Sequence, residues 1–171
     1  MQLSYWELKN WFTNVDYTIV GSGIVGLHAA LRLRERFPNS KILVLERGML
    51  PHGASTKNAG FACFGSVSEL LDDLKKMPEE TVWKTVEMRW KGLELLRKRL
   101  GDKAIAYKGL GGYELFDKEK NYTICSEKIE ELNKKIKSTI GLKKCYSTIS
   151  SKNFNFKNIN GVILNNYKRV Q

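Results

Sequence analysis

Three glycines within six residues, followed by a distant carboxylate, are the residues of this sequence best suited to chemistry. Gly21, Gly23 and Gly26 stand in the run Gly-Ser-Gly-Ile-Val-Gly, and Glu46 follows the last glycine by 20 residues. Glycines at this spacing let a strand turn sharply into a helix, and phosphate can then approach the backbone N–H groups that start the helix. A carboxylate at that distance accepts hydrogen bonds from ribose hydroxyls. The pattern therefore predicts a site for the diphosphate and ribose of a dinucleotide.

Two strands and a helix must position these residues. The apolar run Tyr17–Val20 predicts a buried parallel strand before the glycines, and Ile42–Leu45 predicts a second strand that ends at Glu46. Between them a helix is expected over about residues 24–37. The apolar residues Ile24, Leu27 and Leu31 recur in it at helical spacing. The order is that of a Rossmann-like βαβ unit, and a carboxylate at the ribose position argues against a cofactor with a 2′-phosphate.

The glycine turn alone does not distinguish NAD from FAD, because both cofactors use it. The next loop, residues 53–60, reads Gly-Ala-Ser-Thr-Lys-Asn-Ala-Gly and resembles the flavin-contacting loop of the D-amino-acid-oxidase-like FAD-dependent oxidoreductases. That family includes glycine oxidase and sarcosine oxidase. The resemblance extends over residues 16–47, where Glu46 and Arg47 match the family's acid-plus-base pair, and more loosely over residues 112–116. Small side chains and backbone donors in such a loop suit the close approach of a flat ring.

The resemblance implies FAD as the cofactor, with contacts from three parts of the sequence. The glycines of the turn would hold the pyrophosphate, and Glu46 would hold the adenosine ribose. The loop would lie along the pyrophosphate and the flavin ring, and Lys57 would either contact phosphate or lie in solvent. The loop residues expected at the cofactor are Ser55, Thr56, Asn58 and Gly60. The complete set of predicted cofactor-binding residues is Gly21, Ser22, Gly23, Ile24, Val25, Gly26, Glu46, Arg47, Ser55, Thr56, Lys57, Asn58, Ala59 and Gly60.

The resemblance also implies the reaction of a complete enzyme, in which a hydride leaves a carbon next to nitrogen in an amine or amino-acid substrate and reaches the flavin. No residue is predicted to be the general base. His52 lies beside the flavin loop and is a better candidate than His28, which is expected to pack or to lie on the helix surface. Cys63 follows the loop, but a structural thiol is favoured over attachment to flavin. No metal site is predicted, because the cysteines show no metal-ligand spacing.

Composition indicates a globular chain with excess positive charge. Of 171 residues 42% are hydrophobic, the net charge is +11, and residues 132–171 contain nine Lys or Arg but no Asp or Glu. Aromatic residues are not interleaved with these charges, so a solvated surface is favoured over a nucleic-acid interface. No stretch approaches the roughly 20 apolar residues of a transmembrane helix. The three cysteines lack metal spacing and predict reduced thiols in the cytoplasm.

Four further helices are expected. The first is an amphipathic segment over residues 4–12 that should pack on the domain. The second should start at Ser66 or Ser68 and run to residue 77. The third should begin with Pro78 at its first position and stop at Gly101, and the fourth should cover residues 126–140. Trp83 and Trp90, on the flank of the third helix, are interpreted as core or interface residues rather than the lining of a pocket.

A second sheet, mixed or antiparallel, is predicted after these helices. Residues 105–108 and 113–116 read as strands of a hairpin, and Gly161–Asn165 reads as a last strand. The predicted fold is therefore α/β. A helix and a Rossmann-like FAD-binding unit should occupy residues 1–65, and a helical segment with a partial second sheet should occupy residues 66–171.

The family assembles its FAD domain from both ends of a much longer chain. The sequence is therefore expected to be a truncated member with exposed strand edges and apolar faces, which should be marginally stable or should need a complementing chain. Two other interpretations stay open. One is a non-catalytic module that binds NAD or an adenosine nucleotide through the same turn. The other is a basic nucleic-acid-binding protein, which would bind with steep salt dependence.

Overall fold

A computed structural model of the chain describes residues 2–154 and 156–167. Within these ranges it has the α/β fold predicted from the sequence, with a parallel strand pair, an antiparallel sheet and five α-helices. The chain divides into two compact units, Met1–Phe61 and Ala62–Gln171, which we call unit 1 and unit 2. The domain boundary predicted after residue 65 stays a prediction.

Unit 1 begins with a short helix whose aromatic side chains lie in solvent. A capping box at Ser4 starts helix α1 (Tyr5–Glu7), which continues as a wider π-helical turn over Leu8–Phe12. The helix itself was predicted, but the prediction that its aromatic rings pack on the domain is wrong. Trp6 is 65% exposed, and Trp11 is exposed as well.

Polar contacts anchor the end of this segment beside the start of the second strand. The Lys41 ammonium donates to the carbonyl oxygen of Asn10 at 2.6 Å and to that of Thr13 at 2.7 Å. The Asp16 carboxylate accepts a hydrogen bond from the backbone N–H of Lys41 at 2.7 Å. Charge-assisted hydrogen bonds to carbonyl groups therefore take the place of the apolar packing that the sequence suggested.

A βαβ motif forms the rest of unit 1. Strands β1 (Tyr17–Val20) and β2 (Ile42–Leu45) pair in parallel, with their first residues opposite each other and their last residues opposite each other. Helix α2 (Ile24–Arg36) connects them and ends one residue before the expected position. Both strands, the helix and their parallel pairing are confirmed as the Rossmann-like arrangement that the sequence predicted.

Helix α2 carries two apolar stripes, and only one of them is shielded. Gly26, Ala30 and Leu33 are on the less exposed side, and a Cβ on Gly26 would lie 3.3 Å from Cγ2 of Ile19 in strand β1. The stripe that predicted the helix from sequence is about half exposed, at 51%, 47% and 45% for Ile24, Leu27 and Leu31. No residue from 2 to 61 is buried, so unit 1 as described has no hydrophobic core.

In unit 2 the first two helices begin and end close to the residues that predicted them. Helix α3 (Val67–Lys76) starts from a capping box at Ser66, which decides between the two serines considered. Helix α4 (Glu79–Leu100) ends at Gly101 as predicted. Pro78 is in the capping position before this helix rather than at its first residue, so that prediction was one residue out.

Helix α5 (Glu119–Ile140) ends at Gly141 as expected but begins seven residues before the predicted start at Ser126. Tertiary packing accounts for the extra turns. Tyr122 lies so close to the backbone of Gly161 that a Cβ there would be 2.1 Å from the tyrosine ring. This contact fixes the early part of the helix, and local sequence preference does not reveal it.

An antiparallel sheet completes unit 2. Its strands are β3 (Gly112–Phe116), β4 (Tyr146–Ile149) and β5 (Gly161–Asn165), in the order β3-β5-β4. The sequence predicted the last strand and an antiparallel or mixed sheet, and both are confirmed. Strand β4 was not predicted.

The hairpin predicted from residues 105–108 and 113–116 is wrong. Ala106 has a φ of +50°, in the left-handed region, and the N–H of Tyr107 donates to the carbonyl oxygen of Asp102 at 2.8 Å. The first of the two predicted strands is therefore a turn. Strand β3 pairs with β5 instead, where Tyr113 lies opposite Leu164.

The hydrophobic core of unit 2 draws on all three helices and all three strands. Trp90 is buried in it and Trp83 packs against its edge, so the interpretation of both as core residues is confirmed. The buried members are Phe64, Val67, Leu70, Val82, Val86, Trp90, Phe116, Cys125, Ile129, Leu132, Ile136, Leu142, Cys145, Tyr146 and Ile163. Across the described ranges, no helix has the length and the apolar character that crossing a bilayer requires.

Candidate dinucleotide-binding site

The glycine turn brings the start of helix α2 against strand β1. Gly21 follows the strand with a φ of +98°, in the region that favours glycine, and its N–H donates to the carbonyl oxygen of Leu45 at 2.7 Å. A Cβ on Gly26 would lie 2.1 Å from the carbonyl oxygen of Gly21. Only glycine permits this approach, so the first turn of the helix begins directly beside the end of the strand.

The first N–H of helix α2 is capped by a side chain from a later loop. Gly23 is the N-cap residue and has no side chain that could accept a hydrogen bond. Ser55, in the 3-10 turn Ala54–Thr56, takes this role because its Oγ accepts from the N–H of Ile24 at 3.0 Å. The loop is thereby held at the helix N-terminus, where the dipole favours negative charge.

The Glu46 carboxylate, just past strand β2, is bound by the glycine turn. Its Oε2 accepts from the backbone N–H of Ser22 at 2.9 Å and from the Ser22 hydroxyl at 2.8 Å. Its Oε1 accepts from the N–H of Arg47 at 2.9 Å. The backbone N–H of Ser22, followed by its hydroxyl, lowers the pKa of Glu46 to about 2. The group is therefore ionised at neutral pH.

A cleft of about 720 Å³ joins these groups. Five of the predicted cofactor-binding residues line it, namely Gly21, Gly23, Glu46, Arg47 and Ser55. Six lining residues were not predicted to bind the cofactor: Val20, Leu45, Gly48, Pro51, His52 and Gly53. Most of these residues could have been inferred from geometry rather than from residue type. The loop that runs from the end of β2 to the cap on helix α2 must pass the glycine turn, so its residues line the cleft.

The other predicted residues are placed differently. Ser22 and Ile24 donate to lining residues, as described above, and Val25 is 80% exposed on helix α2. The hydroxyl of Thr56 donates to the carbonyl oxygen of Gly53 at 3.0 Å within its own turn. The remaining predicted residues follow as an exposed segment outside the cleft: Lys57, Asn58, Ala59 and Gly60. The structure thus gathers the residues expected at a diphosphate and a ribose, and leaves apart the end of the loop expected at a flavin ring.

The two histidines and the cysteine considered for proton transfer or flavin attachment have different surroundings. Nδ1 of His28 donates to the carbonyl oxygen of Ile24 at 2.8 Å, within helix α2. His52 lines the cleft, and Cys63 is an exposed free thiol in unit 2. In the part of the chain that the structure describes, no group of His, Cys, Asp and Glu could hold a metal ion.

The cleft offers binding rather than proton transfer. Backbone N–H groups and the positive end of a helix dipole bind phosphate oxygens, and an ionised carboxylate accepts hydrogen bonds from hydroxyl groups. The glycine turn follows β1 and the carboxylate follows β2, so both lie at the same end of the parallel pair. The loop after β2 lines the same cleft. The arrangement suits a molecule that joins a phosphate to a sugar.

Comparisons with known proteins identify relatives of the chain. The family model described as DAO, FAD dependent oxidoreductase, matches residues 16–145. The chain is also similar to a protein named Probable oxidoreductase OrdL from Haemophilus influenzae, at 28% identity over 100 residues. That match covers 58% of this chain but only 23% of the relative. No solved structure matches the chain.

The family match covers most of the sequence and includes both the glycine turn and Glu46. It begins at Asp16, next to strand β1, and ends at Cys145, next to strand β4. It therefore spans parts of both units. On this match the chain belongs to the FAD-dependent oxidoreductase family, whose members depend on FAD.

Proposed function

We propose that this chain carries the part of an FAD-dependent oxidoreductase that holds the adenosine diphosphate half of FAD. The observation that carries the proposal is the meeting of the glycine turn, the start of helix α2 and the Glu46 carboxylate at one cleft. The N-terminus of helix α2 at the glycine turn holds the pyrophosphate, and Glu46 holds a ribose hydroxyl.

The residues present fit such a ligand. A Cβ built on Gly21 meets no heavy atom within 4 Å, so space is open beside the turn. Glu46 is ionised, and the groups that lower its pKa are hydrogen-bond donors, chiefly the backbone N–H and hydroxyl of Ser22. The loop that closes the cleft carries small residues, including Gly48 and Gly53, which leave room for a ligand to approach the backbone.

We propose further that the complete enzyme oxidises amines or amino acids. The support is the resemblance of residues 53–60 to the flavin loop of glycine oxidase and sarcosine oxidase. FAD, when bound, supplies the hydride acceptor. The residues of this chain bind and orient the cofactor, and His52 is among the side chains that line the cleft.

Further polypeptide, in the same or in another chain, is proposed to cover unit 1 in the working enzyme. No residue from 2 to 61 is buried, whereas parallel strands are normally covered on both faces. The stripe of Ile24, Leu27 and Leu31 gives helix α2 a second apolar side for such a contact. The OrdL relative extends well beyond the matched region, which is 23% of its length.

The proposed location of the enzyme is the cytoplasm. Its three cysteines are free thiols, and Cys125 and Cys145 are buried without forming a disulfide. Free thiols are typical of a reducing compartment.

Titration of the purified chain with FAD, ADP and NAD tests the cofactor assignment. We expect FAD and ADP to compete for one site, and NAD, which carries the same adenosine diphosphate group, to bind there no more tightly than FAD. Replacing Gly23 by leucine should lower the affinity for FAD by about tenfold or more, because even a Cβ there lies 3.1 Å from Ser55 Oγ at the mouth of the turn.

Gly92→Leu in helix α4 is the matched control, since a Cβ at Gly92 meets no atom within 4 Å. A preference for NAD over FAD would favour the non-catalytic nucleotide-binding module instead. Nucleic-acid binding that weakens steeply with salt would favour the third interpretation. A chain that binds neither FAD nor ADP, even when the unmatched part of a full-length relative is supplied as a second polypeptide, contradicts the proposal.

A further inference from the structure

Ser22, between the first two glycines of the turn, is bonded twice to one oxygen of Glu46. Its backbone N–H lies 2.9 Å and its hydroxyl 2.8 Å from Oε2 of the carboxylate. We propose that Ser22 is a positioning residue, whose two hydrogen bonds hold Glu46 so that Oε1 is left as the acceptor for a sugar hydroxyl. The inference rests on the proposed function, because it concerns the same sugar-binding carboxylate.

The number of hydrogen bonds at each oxygen decides which one is available. A carboxylate oxygen offers about two lone-pair sites, so the two donors of Ser22 saturate Oε2. Oε1 accepts from the N–H of Arg47 at 2.9 Å, and the N–H of Gly48 makes only a small contribution at the carboxylate, so Oε1 is the oxygen less occupied by strong donors. The Ser22 hydroxyl has given its hydrogen to Glu46 and is therefore no donor to phosphate.

The surroundings of Glu46 leave Ser22 as the main influence on its charge. The charged or titratable side chains that line the same cleft are Arg47 and His52. The pKa of Glu46 is nevertheless lowered by hydrogen bonds, chiefly those of Ser22, with smaller contributions from the N–H groups of Arg47 and Gly48. Ser22 thus fixes the orientation of the carboxylate and is the main cause of the lowering of its pKa.

A purely structural role would make a different prediction. The same two bonds also tie the end of strand β2 to the glycine turn, and a tie of that kind would support every ligand of the cleft equally. A positioning role acts through Glu46 and affects only ligands that have the sugar hydroxyl. The contrast between ADP and 2′,3′-dideoxy-ADP, which lacks both ribose hydroxyls, separates the two roles.

The first test needs no ligand. The carboxyl group of Glu46 is titrated by NMR in the full chain and in Ser22→Ala, Ser22→Thr and Ser40→Ala. We expect a pKa of about 2 in the wild type and a rise only part of the way toward the ordinary value of 4.5 in Ser22→Ala, because the backbone N–H, the larger cause, remains. Ser22→Thr keeps the hydroxyl and should change the pKa little. Ser40→Ala, in the turn before strand β2, is the control. An unshifted pKa in Ser22→Ala overturns the inference.

The second test measures binding of ADP and of 2′,3′-dideoxy-ADP by calorimetry. Ser22→Ala should weaken binding of ADP about tenfold, the effect expected for one hydrogen bond to a charged group, and should leave binding of the dideoxy analogue unchanged. In a Glu46→Gln background the substitution at Ser22 should have little further effect, because its route to the sugar is then lost.

Each other outcome has a separate meaning. Equal weakening of both nucleotides in Ser22→Ala shows a structural tie and overturns the positioning role. Unchanged ADP binding in Ser22→Ala overturns the inference while leaving the proposed function intact. A wild-type chain that binds neither ADP nor FAD, even with the unmatched part of a full-length relative supplied as a second polypeptide, contradicts the proposed function itself.

Discussion

Apolar side chains are buried throughout unit 2, whereas in unit 1 polar hydrogen bonds hold neighbouring segments together. In unit 2 the helices and the antiparallel sheet share one core, with Ile136, Cys145 and Ile163 fully buried. Between residues 2 and 61 no side chain is buried. There the contacts that link distant segments include Ser22 to Glu46 and Lys41 to the N-terminal helix.

This difference separates where the binding groups are from where the stability is. A cleft made of backbone turns and a few polar side chains needs little apolar area, because its hydrogen bonds define its shape. Such hydrogen bonds add only about 1 kcal/mol each in net terms, whereas burial of one large apolar side chain adds about 1.5–3 kcal/mol. Unit 1 is therefore expected to be the less stable part of the chain.

Truncating a core residue of unit 2 should have the largest effect. Ile136 is fully buried in helix α5, so Ile136→Ala removes apolar contacts and leaves a cavity. We expect the free energy of unfolding of unit 2 to fall by about 2–5 kcal/mol. Urea titration followed by far-ultraviolet circular dichroism measures this loss.

The matched variant in unit 1 is Leu27→Ala, at a position that is 47% exposed on helix α2. Its cost should be less than about 1 kcal/mol, because much of the side chain is already in water. If the two substitutions destabilise the chain equally, unit 1 has an apolar core in solution and the contrast between the units fails.

Removing one buried hydroxyl of unit 2 should have an intermediate effect. Burial raises the pKa of Tyr146, whose hydroxyl keeps its proton and donates to the carbonyl oxygen of Gly65 at 2.6 Å. Tyr146→Phe should lower the free energy of unfolding by about 1 kcal/mol. The cost stays small because Tyr167 also donates to Gly65, at 3.1 Å.

Tyr113→Phe is the control for that measurement, since Tyr113 is exposed on strand β3. Thermal unfolding of both variants gives the comparison. An equal loss of stability in the two would mean that the bond to Gly65 contributes nothing in solution. The stability of unit 2 would then come from apolar burial alone.

Local sequence was enough to predict the parts of the fold that local chemistry determines. The strand–turn–helix–strand order around Gly21 and Glu46 followed from backbone freedom at glycine and from apolar runs of strand length. The start of helix α3 followed from a capping serine, predicted as Ser66 or Ser68 and found to be Ser66, and the end of helix α5 followed from Gly141, which adopts a φ of +75°. Each of these signals acts within a few residues.

The rest depends on contacts between residues far apart in sequence. Strand β4 is short and is stabilised by its pairing with β5. Strand β3 also pairs with β5, which begins at Gly161, 49 positions after the first residue of β3. Residues 105–108 are therefore not needed as a partner for β3, and the chain turns at Ala106 instead. The cap that Ser55 gives to Ile24 joins residues 31 apart. The sequence identified Ser55 as a site residue. Residue types alone reveal neither this cap nor the two hydrogen bonds from Ser22 to Glu46.

The smallest expected effect tests the polar anchor of unit 1. Lys41→Met keeps an unbranched side chain of similar length but removes the ammonium that donates to the carbonyl oxygens of Asn10 and Thr13. The free energy of local opening of the N-terminal segment should fall by less than about 1 kcal/mol, because each bond is partly exposed and water replaces it. Amide hydrogen exchange of residues 4–13 should accelerate while exchange in unit 2 stays unchanged. Lys57→Met, in the exposed loop, should change neither. If Lys41→Met leaves the exchange of residues 4–13 as slow as in the wild type, the aromatic side chains of that segment are packed in solution, and apolar burial contributes to unit 1 as it does to unit 2.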